Sequence, residues 1–417
     1  MYPIVYRMYD RLVPANAKDV FWRVRDARNS RRRQTLFGAI PADYRFRKLQ
    51  VILTSRCDLT CVMCSIIHEG KAALREETVR QLIDDADRLD FNEIEITGGE
   101  PYHRPYFKSV VEDYAGRIKP KLRITTNAHS LDRALIDRLA GRKRLHFQVS
   151  FDGTTDVHNW IRVQNRYDAF SKSEENFRLL AAARLTVSLN TVIQRHNVGN
   201  LLATYRHFKD VPYRFHAFNI VEEGSWDYEN NRLRPEQIDD LVSELNQIIS
   251  EAKSDAKLLL GLGPNVIEHI RSMKGSGPKT NSEPEESGVE FPMHAGYGCT
   301  VPFAIVIVGP QGHVYPCFHY HPSTGRDRHN WYEQYRSEFS IKERRLADVL
   351  LSPEYIERSR RMGRIDGCEG CSTACYSADE IFRRKSMRPT ADDLKQRDAQ
   401  REFLRQLRSK VAPVAAE

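Results

Sequence analysis

From about residue 49 to residue 210 the chain alternates strand-like runs with segments of helical period, and this alternation limits the possible folds more than any single motif. The strand-like runs are 48–53, 91–96, 122–127, 145–153 and 186–193; helical patterns cover 76–89, 131–139 and 173–183. Strands separated by helices predict an α/β fold of parallel βα units, because a parallel crossover needs about a helix's length of chain. In barrels of such units the working residues stand at the C-terminal ends of the strands. The chemistry-bearing residues of this stretch fall at those ends.

The first of them form Cys57-Asp58-Leu59-Thr60-Cys61-Val62-Met63-Cys64, a C-x3-C-x2-C run directly after the strand 48–53. Soft thiolates suit iron, and three on one short loop can hold three corners of a [4Fe-4S] cluster while one iron keeps an open position. A purely electron-carrying cluster would have a fourth Cys nearby, so the open corner points to chemistry on a chelated small molecule. The competing reading is a zinc knuckle, with His68, four residues after Cys64, completing a tetrahedral set.

Thr97-Gly98-Gly99-Glu100-Pro101 ends the second run. Paired glycines let backbone approach a ligand closely, and Glu100 can accept hydrogen bonds from an ammonium group. Thr126 and Asn127 end the third run, and Ser150-Phe151-Asp152-Gly153 the fourth, followed by His158 and Arg162. A guanidinium there suits a carboxylate ligand bidentately, or a surface salt bridge.

Taken in order from Cys57 to Ile193, these motifs resemble the radical S-adenosylmethionine (radical SAM) superfamily, with its cysteine triplet, GGEP, S-x-D-G and H-x3-R segments. The resemblance implies a partial (β/α)6 TIM-like barrel open on one side, with a [4Fe-4S] cluster on Cys57, Cys61 and Cys64. It also implies SAM contacts from Met63, Gly98, Gly99, Glu100, Pro101, Thr126, Asn127, Ser150, Asp152, Arg162, Asn190 and Val192. Met63 stands where the family usually places an aromatic side chain near the adenine.

The five other cysteines are Cys299, Cys317, Cys368, Cys371 and Cys375. Runs 305–308 and 313–315 read as a hairpin turning at Pro310-Gln311-Gly312, which brings Cys299 and Cys317 to one neighbourhood. Gly312-x4-Cys317 followed by Cys368-x2-Cys371 resembles the small α+β SPASM/twitch extension of radical SAM enzymes, which binds auxiliary [4Fe-4S] clusters. The spacing Cys371-x3-Cys375 departs from the full SPASM pattern. Five thiols imply one auxiliary cluster on Cys299, Cys317 and two of Cys368, Cys371 and Cys375, with one thiol left over. A four-ligand zinc site is the rival, and His319 and His321 could serve either.

At 417 residues the chain has room for several domains. The expected division is a basic arm (1–46), the radical SAM core (47–235), a helix and flexible linker (236–294), the auxiliary-cluster domain (295–385) and a basic C-terminal helix or tail (386–417). Residues 1–33 carry nine Lys or Arg against three Asp, interleaved with aromatics, which suits either an arm packed on the barrel or weak peripheral contact with a membrane. No run is apolar enough for a membrane span or a signal peptide, so a cytoplasmic protein is expected. Eight cysteines there read as metal ligands rather than disulfides. The net charge of +8 is spread along the chain and no nucleic-acid module appears, so no nucleic-acid partner is expected.

The family's chemistry implies that the reduced cluster cleaves SAM to a 5′-deoxyadenosyl radical that takes a hydrogen atom from unactivated carbon. An auxiliary cluster can then accept the surplus electron. Glu222, Glu223, Tyr297 and His319 are candidates for a base or substrate contact. The expected function is dehydrogenation or epimerisation of a small molecule such as a sugar or aminocyclitol, with a flavodoxin- or ferredoxin-type reductant. Radical modification of a ribosomal peptide or partner protein is the alternative, ranked second because the N-terminal arm is too short for a separate peptide-recognition domain. A non-catalytic zinc or iron-sulfur protein is the distant alternative.

Overall fold

Each strand-like run of the core becomes a strand of one sheet. β1 (Lys48–Ile52), β2 (Glu93–Thr97), β3 (Lys121–Thr126), β4 (Leu145–Ser150), β5 (Thr186–Ile193) and β6 (His216–Ile220) lie side by side and parallel. They are connected by α1 (Glu76–Arg88), α2 (Phe107–Tyr114), α3 (Arg133–Leu139), α4 (Thr155–Val163), α5 (Phe170–Ala182) and α6 (Leu201–His207). This is the partial (β/α)6 barrel. The computed structural model describes residues 46–68, 71–221, 225–262, 264–275, 305–315 and 339–356. Apart from 353–356, these belong to one compact unit, Phe46–Glu283 with Ile305–Ser352.

Local signals set the element ends. Asp132 caps α3 by accepting from Leu135 N at 2.8 Å. Pro235 opens a 3-10 turn, Pro235–Gln237, that leads into α7 (Ile238–Ser254). β7 (Leu259–Leu260) then adds two residues beside β6, and α8 (Pro264–Ser272) follows. The hairpin expected around Pro310-Gln311-Gly312 forms as β8 (Ile305–Val308) and β9 (Val314–Tyr315), pairing Ile307 with Tyr315 and Val308 with Val314. Its first strand lies parallel to β1, so the sheet order among the described residues is β7-β6-β5-β4-β3-β2-β1-β8-β9.

Strand alternation gives the sheet two unlike faces. Val51, Ile96, Ile124, Phe147 and Val187 stand abreast across β1 to β5, none more than 1% exposed. Burying each contributes roughly 1.5–3 kcal/mol. The helices pack on this face: Ile193 and Phe218 share a core with Leu201, Tyr205, Leu241 and Leu245. One residue back, Gln50, Glu95, Arg123, His146 and Thr186 form the row on the inner face. Charges there are compensated: Lys48 pairs with Glu95, and Arg123 pairs with Glu93. Burial works to raise the Glu95 carboxyl, but Lys48 and Arg123 outweigh it and bring it to about 2.

The basic arm, the C-terminal tail, Glu222, Glu223, Tyr297, His319, His321 and the five downstream cysteines lie outside the described residues. No helix among the described residues is long and apolar enough to cross a membrane.

Candidate functional site

The cysteine run leaves the C-terminal end of β1 as a loop held to α4 by its backbone. Thr60 N and Val62 N donate to the carbonyls of Arg162 and Ile161, each at 3.0 Å, which staples the loop to the end of α4. None of Cys57, Cys61 and Cys64 is in a disulfide; Cys61 is buried and the other two are half-buried. Among the described residues no three Cys, His, Asp or Glu side chains converge on a single-ion shell. Burial pushes the Cys61 thiol up to about 12, and burial with the charges of Cys61 and Glu100 raises Cys57 further. Their thiolate forms therefore call for a cationic partner, and soft sulfur donors on a short loop fit the corners of an iron-sulfur cluster.

Sequence reading passed over Asp58, between the first two cysteines. Its carboxylate accepts from Asn127 Nδ2 at 2.8 Å and Ser130 Oγ at 2.6 Å, with His129 Nδ1 at 3.1 Å. Burial opposes its charge, but these hydrogen bonds win and hold the carboxyl below its ordinary value. The loop after β3 is thereby tied to the cysteine loop. Tyr167 OH adds a bond to the Asp58 carbonyl at 2.9 Å.

The GGEP segment serves this frame. Gly98 has φ +138°, and a Cβ on Gly98 or Gly99 would run into the backbone of Thr54 or Arg56. Gly99 N donates to Thr54 O at 2.6 Å and Glu100 N to Arg56 O at 2.9 Å, so the glycines permit close approach to the start of the cysteine loop. Glu100 is 0% exposed. Its oxygens accept from Tyr102 N at 3.1 Å, Thr126 Oγ1 at 2.8 and 2.9 Å, and Asn127 N at 2.9 Å. It braces β2 against β3.

Burial pushes the Glu100 carboxyl from 4.5 up to about 7. Between those pH values the folded chain holds a proton that the unfolded chain has released, so stability falls as pH rises through the window and levels above it. Glu100→Gln, which cannot titrate, should remove roughly 3 kcal/mol of that pH dependence. The check is Tm against pH for both proteins; parallel slopes would show that Glu100 does not titrate in this range.

Arg162 is neither on the surface nor open to a ligand on its Asp152 side. It is 7% exposed, and its Nε and Nη2 reach Asp152 Oδ2 at 2.8 and 2.7 Å. Asp152, 0% exposed, also accepts from Val192 N at 2.9 Å through Oδ1, and its own N–H donates to His158 Nδ1 at 3.4 Å. His158 and Arg162 are four residues apart on α4 and so share a face. Together they clamp Asp152, joining the ends of β4 and β5 to the helix that staples the cysteine loop.

The other expected SAM contacts gather at the same strand ends. Ser150 stands abreast of Asn190 on adjacent strands, and Pro101, Thr126 and Asn127 are buried around Glu100. Met63 is half-buried; its carbonyl accepts from Trp226 N at 3.2 Å and its sulfur lies 3.7 Å from Gln194 Nε2. Gln194 is a second residue that sequence reading missed: it is 0% exposed, and its Oε1 has no partner among the described residues.

A family model of the radical SAM superfamily matches residues 51–208, and one of the SPASM iron-sulfur cluster-binding domain matches residues 299–376, the stretch that carries the five downstream cysteines. Mycofactocin maturase MftC of Mycobacterium ulcerans (strain Agy99) is 33% identical over 153 residues, which covers 36% of this chain and 40% of that protein. A PqqA peptide cyclase of Granulibacter bethesdensis is 34% identical over 154 residues, with the same two coverages of 36% and 40%. The chain thus spans about two-fifths of the length of these relatives. Among solved structures, Streptococcus suis SuiB bound to precursor peptide SuiA has a TM-score of 0.55 over 75% of this chain and 67% of that chain, at 14% identity, which is a likeness of fold.

Proposed function

Because this chain belongs to the radical SAM superfamily and carries a SPASM iron-sulfur domain, with SAM and [4Fe-4S] clusters as its cofactors, we propose that it is an enzyme that modifies a peptide. The observation that carries this reading is the similarity of the core to a PqqA peptide cyclase and a mycofactocin maturase. The expectation of a sugar or aminocyclitol substrate gives way to it. An oxidoreductase assignment gives way likewise to the broader one of a radical SAM enzyme.

When bound, SAM and its cluster supply one-electron chemistry that removes a hydrogen atom from unactivated carbon. The chain's own residues hold and orient. Cys57, Cys61 and Cys64 would ligate the cluster, and Met63 in the same loop, with Ser150 and Val192 at the strand ends, would line the SAM site. Asp152, His158 and Arg162 fix α4 against the cysteine loop, while Glu100 and Asp58 tie in the loops after β2 and β3. Cys299, Cys317 and two of Cys368, Cys371 and Cys375 would hold an auxiliary cluster. Glu222, Glu223, Tyr297 and His319 are the candidates for a base.

The test is anaerobic. The protein, with clusters reconstituted, is given SAM, dithionite and a peptide library, and 5′-deoxyadenosine and peptide masses are followed. Deoxyadenosine with a selective change of peptide mass is expected. Turnover with sugars or aminocyclitols and none with peptides would restore the small-molecule reading, and stoichiometric zinc without SAM cleavage would remove both.

A further inference from the structure

A row of inner-face side chains runs from the core toward the C-terminal ends of the strands, and of its members only Asn190 has been named in the site above. Arg123 Nη1 donates to Gln148 Oε1 at 3.0 Å, Gln148 Nε2 donates to Asn190 Oδ1 at 3.1 Å, and Asn219 Nδ2 donates to the same Oδ1 at 2.8 Å. A guanidinium can only donate, so Arg123 sets the direction of every amide after it. Gln148 must turn its oxygen to Arg123 and its nitrogen to Asn190. Asn190 must then offer its oxygen, and Asn219 its nitrogen.

This polarity leaves Asn190 Nδ2 as a donor and Asn219 Oδ1 as an acceptor, neither with a partner among the described residues. Arg123 and Gln148 are buried, Asn190 is half-buried and Asn219 is exposed, so the row ends where a ligand can reach it. Asn190 stands abreast of Ser150 at the end of β4, and Asn219 abreast of Val192 near the end of β6. The cysteine loop leaves the same end of β1.

We infer that Asn190 and Asn219 hold the backbone of one residue of an extended peptide substrate, its carbonyl accepting from Asn190 Nδ2 and its N–H donating to Asn219 Oδ1. In an extended chain the N–H and C=O of one residue point to the same side, as they do in an antiparallel hydrogen-bonded pair. A donor beside an acceptor matches that pattern and asks nothing of the side chain. The inference rests on the peptide reading. It also gives Asn190 a role other than the SAM contact that the family resemblance implied.

Two variants test it in the full, reconstituted chain. Asn190→Asp keeps an acceptor for Gln148 and Asn219 but replaces the outward donor with a carboxylate oxygen; Asn219→Leu removes the acceptor at an exposed position. The probe is a peptide selected on the wild-type protein, with SAM present, from a displayed random-sequence library, with Kd read by fluorescence anisotropy. Each variant should weaken this peptide about tenfold, the scale of one lost hydrogen bond with its partner left unpaired, and Asn219→Leu should leave the Kd for SAM unchanged. N-methylation of one peptide residue should weaken wild-type binding and leave Asn219→Leu indifferent. Unchanged peptide affinity in both variants would overturn the inference and leave the peptide reading standing. A loss of SAM affinity alone in Asn190→Asp would overturn it in favour of a cofactor contact. If the wild-type protein enriches no peptide, the peptide reading falls and this inference with it.

Discussion

Replacing Cys57, Cys61 and Cys64 together by alanine should halve the iron of the reconstituted protein, from about eight to about four atoms per chain, and abolish 5′-deoxyadenosine formation. The figure assumes one auxiliary cluster on the downstream cysteines, which this variant leaves intact. The loop itself should survive, because the main-chain bonds from Thr60 and Val62 to α4 and the bonds of the Asp58 carboxylate to Asn127 and Ser130 remain when the sulfurs are gone. Burial keeps the metal-free Cys57 and Cys61 thiols protonated, so no charge is lost with them. Tm without metal is therefore expected to move little, which separates loss of the cluster from loss of the fold. Iron and sulfide counts with SAM cleavage check this; unchanged iron would mean that the triplet holds no cluster.

The second large effect lies at Asp152. Asp152→Ala leaves the Arg162 guanidinium buried without its partner, and breaking a buried pair in this way costs about 3–5 kcal/mol. For a unit of this size that corresponds to a Tm lower by roughly 10 °C. The damage should spread to the cofactor, since the carbonyls of Ile161 and Arg162 hold the cysteine loop, so iron content falls together with Tm. The double variant Asp152→Ala, Arg162→Leu removes both charges and should recover a good part of the Tm. A single variant as stable as the wild type would mean that water reaches Arg162 and the clamp is not needed.

Much of the core could be read locally. β1 to β5 follow from the strand-like runs, and α1, α3 and α5 from the segments of helical period. The Cys57, Cys61 and Cys64 spacing carries its chemistry on eight consecutive residues, so no long-range contact is needed to recognise it. The same holds for the place of the motifs at the C-terminal strand ends. Residue roles were less accessible. Residue type alone suggested what Glu100 and Arg162 could bind, but not that Glu100 is bonded to Thr126 and Asn127 or that Arg162 is paired with Asp152. Asp58 gave no signal, because its partners come from a loop about seventy residues away.

The sequence by itself determined the alternating βα core, the three-thiol loop and the hairpin at Gly312, since each depends on neighbours within a few residues. Only the tertiary structure decided that β8 lies against β1, that Asp152 is clamped by His158 and Arg162, and that Arg123, Gln148, Asn190 and Asn219 form one directed row. Strand pairing and burial settle those points. A side chain's charge and length show what it can bond, but its actual partner depends on which distant strand the sheet brings beside it and on whether water remains there.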